Sequence, residues 1–120
     1  MRYMLLIYGD ESAWGDVMPE DQAADAKRWT DYTDWLQEKG WHLAGDGLDP
    51  TSSATTVRVR DGKTLTTDGP FAETKEQLGG YYLIDCANLD EAIEAASKVP
   101  SVGMGSIEIR PLMDFPEQTP

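Results

Sequence analysis

The stretch Asp68-Gly69-Pro70-Phe71-Ala72-Glu73-Thr74-Lys75-Glu76 leads directly into the apolar segment Gln77–Asp85. Gly69 tolerates a positive φ and Pro70 fixes φ at about −65°, so together they predict a sharp, low-entropy corner that carries Asp68. The spacing leaves two interpretations open. The stretch is either an ordinary turn followed by a solvated charge run, or a corner that presents Asp68 to a ligand.

Outward from this corner, apolar and alternating segments predict strands along the whole chain. They are Tyr3–Tyr8, Trp41–Leu48, Ala54–Arg60, Lys63–Thr67, Gly79–Asp85 and Ser106–Arg110. Asp61-Gly62 is the strongest hairpin signal, and it makes the fourth strand the returning partner of the third. One helix is predicted from Pro19 to the stop signal at Gly40, and a second is capped by Asn88.

The order β-α-β-hairpin-β-α-β predicts an α+β fold, the ferredoxin-like split βαβ arrangement with an added hairpin. Both helices are expected on one face of an antiparallel sheet. Strands Tyr3–Tyr8 and Gly79–Ile84 are nevertheless apolar on both faces, whereas a half-exposed strand alternates. The uncovered face therefore predicts a partner surface, and a second copy in a two-fold homodimer is the simplest candidate. Residues 1–113 are expected to form a single domain and residues 114–120 a tail.

Residue spacing also predicts which side chains share a face. The buried face of the first helix is expected to hold Ala26, Trp29, Thr33 and Leu36, and Tyr32 and Trp35 widen it. The buried face of the second helix is expected to hold Leu89, Ala92, Ile93 and Ala96. In the second strand, Trp41 and Leu43 are expected opposite His42, Ala44 and Asp46. Trp14, in the polar loop before Pro19, would need cover from the domain or from a partner.

Composition excludes several classes of function. The net charge of −12, from 22 acidic and 10 basic residues, argues against nucleic-acid binding and against anionic membrane surfaces. A single Cys excludes an internal disulfide. No signal peptide and no apolar run of membrane-spanning length is recognised, so the cytoplasm is the expected compartment.

The stretch Asp68–Glu76 resembles, residue for residue, the DGPFAETKE signature of the DGPF proteins, a branch of the YCII-related family. The likeness continues through Gln77–Ile84, and the segments Met1–Gly9 and Gly105–Pro111 also resemble the family. The resemblance implies a dimeric α+β barrel. It also implies a regulatory or accessory role, because such proteins look like companions of alternative sigma factors.

A pocket left by pairing of the helix-free sheet faces would have polar residues at its rim. Asp68 is the candidate acid or base, on condition that burial raises its pKa. The candidate binding residues are Tyr8, Arg58, Glu73, Lys75, Tyr82 and Arg110, with Arg60 nearby. Arginines in an acidic protein would favour a small anionic ligand. The alternative is that these arginines form structural ion pairs with carboxylates such as Glu108 or Asp68.

Other reactive residues give weaker signals. His42 is the only His, and some YCII-related proteins resemble His-Asp acid/base enzymes, but His42 lies outside the matched signature. Cys86 follows the predicted central strand and is more typical of packing than of a nucleophile. No metal-ligand spacing or phosphate loop is present, so no cofactor is expected.

Two functions follow. The first is a small-molecule-binding or accessory dimeric domain without catalysis. The second is a small acid/base enzyme, such as an isomerase, lyase or dehalogenase, that acts on a cyclic small molecule with Asp68 in the pocket.

Overall fold

The computed structural model describes residues 1–13 and 19–114, so Trp14 and all but the first residue of the expected tail lie outside the described residues. The elements follow the predicted order. They are β1 Arg2–Gly9, α1 Pro19–Glu38, β2 His42–Gly47, β3 Thr55–Arg60, β4 Lys63–Asp68, β5 Gln77–Asp85, α2 Leu89–Ser97 and β6 Gly105–Pro111. Neither helix described is long and apolar enough to cross a bilayer.

The main sheet has four antiparallel strands in the order β2-β5-β1-β6. The two most apolar strands, β1 and β5, form its centre, where Tyr3 pairs with Ile84 and Leu5 pairs with Tyr82. This order is the one that a split βαβ connection produces, so the predicted α+β class is confirmed. The sheet of the single chain is open, with β2 and β6 at its edges, and does not itself close a barrel.

The core lies between this sheet and the two helices. From the sheet it takes Tyr3, Leu5, Ile7, Tyr82 and Ile84, and from α1 it takes Tyr32 and Leu36, with Trp29 and Trp35 partly buried against it. The predicted face of α1 is largely right, except that Ala26 is exposed. Burial of these apolar side chains is the main stabilising contribution, because it removes their surface from water.

The predicted face of α2 is wrong at two of its four positions. Leu89 and Ile93 are each 50% exposed, and the helix packs through Ala92, Ala95 and Ala96 instead. Alanines let the helix approach the sheet and α1 closely, so the larger side chains point away. The predicted cap is confirmed, since Asn88 Oδ1 accepts a hydrogen bond from the Glu91 N–H.

The face assignment in β2 is also wrong at one residue. The register with β5 shifts between His42 and Ala44, so His42 pairs with Ile84 while Ala44 pairs with Leu83. The extra residue of this β-bulge breaks the simple alternation. As a result His42 lies on the helix side, with its ring edge-on to Tyr82, and does not share a face with Ala44 and Asp46.

The opposite side of the sheet carries neither of the two described helices, and we call it the open face. Its central side chains are partly buried and mostly apolar: Met4, Leu6 and Tyr8 from β1, and Tyr81 and Leu83 from β5. The edge strand β6 adds the exposed charges of Glu108 and Arg110.

The hairpin β3–β4, residues 55–68, forms a separate two-stranded sheet, which we call the arm. Its turn has a positive φ at both Asp61 and Gly62, as the Asp-Gly signal predicts. Every residue of the arm except Thr56 is exposed. The radius of gyration is 16.8 Å, and about 14 Å is typical of a compact chain of this length. The arm therefore projects from the domain.

Candidate functional site

A cleft of about 1010 Å³ opens between the first half of α1 and one end of the main sheet. We call it the cleft. Residues 21–28 of α1 are all exposed, so this half of the helix does not pack on the strands beneath it. The lining of the cleft includes two aromatic residues, Trp29 and Tyr82, and four glycines, Gly45, Gly47, Gly79 and Gly80.

The glycines explain why this end of the sheet is hollow. Gly47 pairs with Gly80 across β2 and β5, so neither strand places a side chain at that position. A Cβ at Gly80 would lie 3.0 Å from the Asp46 carbonyl oxygen, while one at Gly47 would meet nothing closer than 4.0 Å. Glycine at position 80 is thus dictated by backbone approach, and glycine at position 47 leaves open volume.

The wall of the cleft is a fixed aromatic pair. The rings of Trp29 and Tyr82 are nearly parallel, 8° apart, with centroids 6.5 Å from each other, and Tyr32 meets Tyr82 edge-on at 5.2 Å. The Tyr82 hydroxyl lies 2.7 Å from Thr33 Oγ1. Because Thr33 donates its own proton to the Trp29 carbonyl, we infer that Tyr82 is the donor. These contacts hold the Tyr82 ring in one orientation.

Charges at the cleft are mainly negative. Asp21 and Asp25 are exposed carboxylates on its walls, whereas the Asp46 carboxylate lies on the open face, where its Oδ2 accepts a hydrogen bond from the Tyr81 hydroxyl at 3.3 Å. Among the described lining residues, Arg28 supplies the positive charge, but its guanidinium already donates to the Pro100 carbonyl at 2.6 Å and lies 3.8 Å from Asp25. An anion would have to compete with both partners.

One buried polar atom at the cleft is unsatisfied. Ser101 Oγ lies among the lining residues and has no hydrogen-bond partner within the described part of the chain. Buried hydroxyls are nearly always hydrogen-bonded, and Ser101 Oγ is an exception to that rule.

The structure does not bring the predicted site residues together. Tyr82 lines the cleft on the helix side, whereas Tyr8 and Arg110 belong to the open face. Asp68 ends β4 at the base of the arm, and Glu73 and Lys75 are exposed in the loop that follows. The set expected around one pocket is thus spread over both faces of the sheet and the arm.

The Asp68 carboxylate is exposed and makes no hydrogen bond or ion pair with any described residue. The arginines do not pair with it. Arg58 donates to the Phe71 carbonyl at 3.3 Å and Arg60 to the Val59 carbonyl at 2.9 Å. Within the described residues, the alternative of structural ion pairs to Asp68 or Glu108 is therefore not seen either.

The lone His and Cys take packing roles in this chain. The His42 ring centroid lies 6.1 Å from that of Tyr82, in an edge-on contact. Cys86 is buried, and burial raises the pKa of its thiol, which keeps it protonated and unreactive. Across residues 1–13 and 19–114, no group of three or more His, Cys, Asp or Glu side chains is arranged to hold a metal.

Sequence reasoning missed the cleft, although a signal for it existed. Gly45, Gly47, Gly79 and Gly80 stand inside predicted strands, and glycines there often mark places where another group approaches the backbone. Their significance depends on β2 pairing beside β5, which places them next to one another. Trp29 was expected to be core, and it packs against the core while also facing the cleft.

The fold and the site define a ferredoxin-like α+β domain with one helix-covered face and a glycine-lined cleft. A sequence model of the YCII-related domain matches residues 1–116. The chain is also 42% identical over 121 residues to the uncharacterized protein R00369 of Rhizobium meliloti (strain 1021), and the match covers 93% of this chain and 92% of that protein. The chain belongs to the YCII-related family.

Proposed function

We propose that this protein is a dimeric small-molecule-binding domain whose ligand occupies the cleft between α1 and the glycine-lined end of the sheet. The observation that carries the proposal is the cleft itself, about 1010 Å³ in volume with the Trp29–Tyr82 pair in its wall. Small-molecule sites are typically concave and largely apolar, with a few polar groups that fix orientation.

The lining favours a planar ligand that is uncharged or cationic. Aromatic side chains attract flat rings, and they also attract cations through the negative face of the ring. The exposed carboxylates of Asp21 and Asp25 lower the local potential, while Arg28 is already engaged. This replaces the expectation of an anionic ligand, which depended on arginines that lie elsewhere.

Binding without turnover is the better fit to these residues. A carboxyl group acts as an acid or base near neutral pH only when burial or a neighbouring charge raises its pKa. The carboxylates lining the cleft are exposed, and so is Asp68. Exposed carboxylates at the cleft serve instead to attract or orient a ligand.

The homodimer is supported by the open face. Met4, Leu6 and Leu83 form an apolar strip on a side of the sheet that no helix of this chain covers. Apolar surface of this kind is typical of a contact with another protein. Sedimentation equilibrium at micromolar concentration should give about twice the 13.3 kDa chain mass. A well-folded monomer would contradict this part of the proposal.

The ligand site can be tested without knowing the ligand, because binding to the folded state raises the melting temperature. A metabolite set rich in aromatic and heterocyclic amines would be screened by thermal shift against the wild type. Hits would be repeated on Gly47→Leu, which fills the cleft from a position with free space around its Cβ. Ser97→Leu, on the exposed end of α2, adds bulk at a residue that does not line the cleft and serves as the control.

The expected result is that hits vanish on Gly47→Leu and persist on Ser97→Leu. The same hits should persist on Asp68→Asn. Loss on Asp68→Asn with retention on Gly47→Leu would contradict the cleft and support the enzyme alternative built on Asp68.

A further inference from the structure

The two faces of the arm differ in chemistry. Cross-strand pairing joins Val57 to Thr66 and Val59 to Thr64, so the outer part of one face consists of β-branched, uncharged side chains, with the Thr55–Asp68 pair at its base. The other face pairs Arg58 with Leu65 and Arg60 with Lys63, and it carries the cations. A hairpin surrounded only by water has no reason to separate its residues in this way, whereas a hairpin that packs on a surface does.

The valine face of the arm is not covered by the described part of its own chain. Val57 and Val59 are 59% and 58% exposed, and Phe71, just beyond the base of the arm, is 78% exposed. An isolated two-stranded hairpin is at best marginally stable in water, and sheets gain stability by packing a face against another element. A surface outside this chain is therefore needed to cover the valine face.

The signature residues form the base of the arm. The Gly69 N–H donates to the Ala54 carbonyl at 2.7 Å, and Thr56 Oγ1 donates to the Gly69 carbonyl at 2.8 Å. The Arg58 guanidinium donates to the Phe71 carbonyl at 3.3 Å. These bonds tie the start of β3 to the corner after β4, so the direction of the arm and the position of Phe71 are set together.

Charge indicates what kind of surface the arm meets. The arm has three basic residues, Arg58, Arg60 and Lys63, against Asp61 and Asp68. That leaves 7 of the 10 basic and 20 of the 22 acidic residues in the rest of the chain. The arm is thus slightly positive on a strongly negative molecule, and a second copy of this chain is an acidic surface that would attract it.

We infer that the arm of one subunit lies across the second subunit of the homodimer, with Val57, Val59 and Phe71 packed against it. The inference rests on the proposed dimer, and adds to it which segment crosses and which face of that segment makes contact. The inference assigns the DGPF corner a structural role, which is to set the direction of the arm towards the partner subunit. Phe71 has the character of an interface anchor, a large aromatic held out from a fixed backbone.

Photo-crosslinking tests the inference directly. The photoreactive residue p-benzoylphenylalanine would replace Val59 in one variant and Arg60, its neighbour on the opposite face, in the other. Ultraviolet irradiation of the full-length protein should yield covalent dimer mainly from the Val59 position. Sedimentation of the same samples would report whether each variant is dimeric before irradiation.

Each outcome decides a separate point. A dimer that gives no intersubunit crosslink from position 59 overturns the inference and leaves the proposed dimer standing. Equal crosslinking from positions 59 and 60 overturns the choice of face. A monomeric wild-type chain overturns both the dimer and the inference.

A conventional variant provides a second readout. Phe71→Ala should raise the dimer dissociation constant about tenfold or more, as loss of an interface anchor does. Leu89→Ala is the matched control, because Leu89 is also an exposed apolar side chain, at 50%, on α2. The same dissociation constant for Phe71→Ala and Leu89→Ala would contradict the inference.

Discussion

The ring of Tyr82 lies directly over Gly45, its cross-strand neighbour on β2. A Cβ built on Gly45 would come within 2.6 Å of Tyr82 Cδ1 and 2.9 Å of Cε1. The glycine therefore provides the space that the tyrosine ring occupies, and the ring in turn covers the bare backbone. Because Tyr82 also forms the wall of the cleft with Trp29, this contact links the stability of the sheet to the shape of the site.

Gly45→Ala should consequently destabilise the fold by about 1–3 kcal/mol, since an added methyl group in a tight site forces side chains or backbone to move. Urea denaturation would measure the loss. Gly103→Ala is the control, because a Cβ there meets nothing within 4 Å. Similar losses for the two variants would show that the Tyr82 ring moves aside freely.

The DGPF corner should be more sensitive to substitution than the hairpin turn. Gly69 has φ +102° and Gly62 has φ +75°, and a Cβ at either position would meet nothing within 4 Å. The two alanine variants thus differ in backbone strain alone. Gly62 lies near the left-handed region that other residues reach at a cost of about 1–2 kcal/mol, and Gly69 lies outside it. Thermal melts should show the larger loss for Gly69→Ala; a reversed order would contradict the prediction.

The buried hydroxyl of Tyr32 should make the free energy of unfolding decrease at alkaline pH. Its hydroxyl donates to the Ala95 carbonyl at 2.7 Å, and burial, with a smaller contribution from the charge of Tyr82, raises the pKa of Tyr32 far above its ordinary value. The unfolded chain therefore loses this proton first, above about pH 10, which favours unfolding. Stability from this group is fully present below that pH and is lost as the pH rises.

Measurement of the unfolding free energy between pH 8 and 11 on the wild type and on Tyr32→Phe would isolate this effect. The variant should be less stable at neutral pH by about 1–2 kcal/mol, because a buried hydrogen bond is lost. It should also have a shallower alkaline slope. Parallel curves would show that Tyr32 does not contribute to the pH dependence.

The cap of α2 gives a fourth prediction. Asn88 accepts from the Glu91 N–H at 3.0 Å, and Glu91 Oε1 accepts from the Ala87 N–H at 2.7 Å. Asn88→Ala should cost about 1 kcal/mol, whereas Asn88→Asp should retain most of the stability because its carboxylate also caps. Chemical denaturation of both variants checks this, and an equal loss in both would argue against the capping role.

Features with a local cause were predictable from the sequence. The Asp61-Gly62 turn, the Asn88 cap and the strand order along the chain depend on neighbouring residues, and the structure confirms them. The strand Gly79–Asp85 was expected to be central because it is the most apolar, and β5 is central, beside β1.

Features that depend on register were not predictable. Tyr8 and Tyr82 were expected around one pocket, but Tyr82 pairs with Leu5 while Tyr8 pairs with Leu78, so the two hydroxyls belong to opposite sides of the sheet. A shift of one residue exchanges the faces of a strand, and the sequence does not encode where bulges form. The predicted site was wrong for the same reason. Its residues were chosen by their chemical type, and the strand register places them on different faces of the sheet.

The bulge and glycines of β2 also bear on self-association through the sheet edge. An exposed edge strand offers unpaired N–H and C=O groups to any other strand, which is how open-ended fibres begin. β2 is six residues long, is bulged near His42 and contains Gly45 and Gly47, which have weak strand propensity. The residues that hollow out the cleft thus also make this edge a poor template for polymerisation.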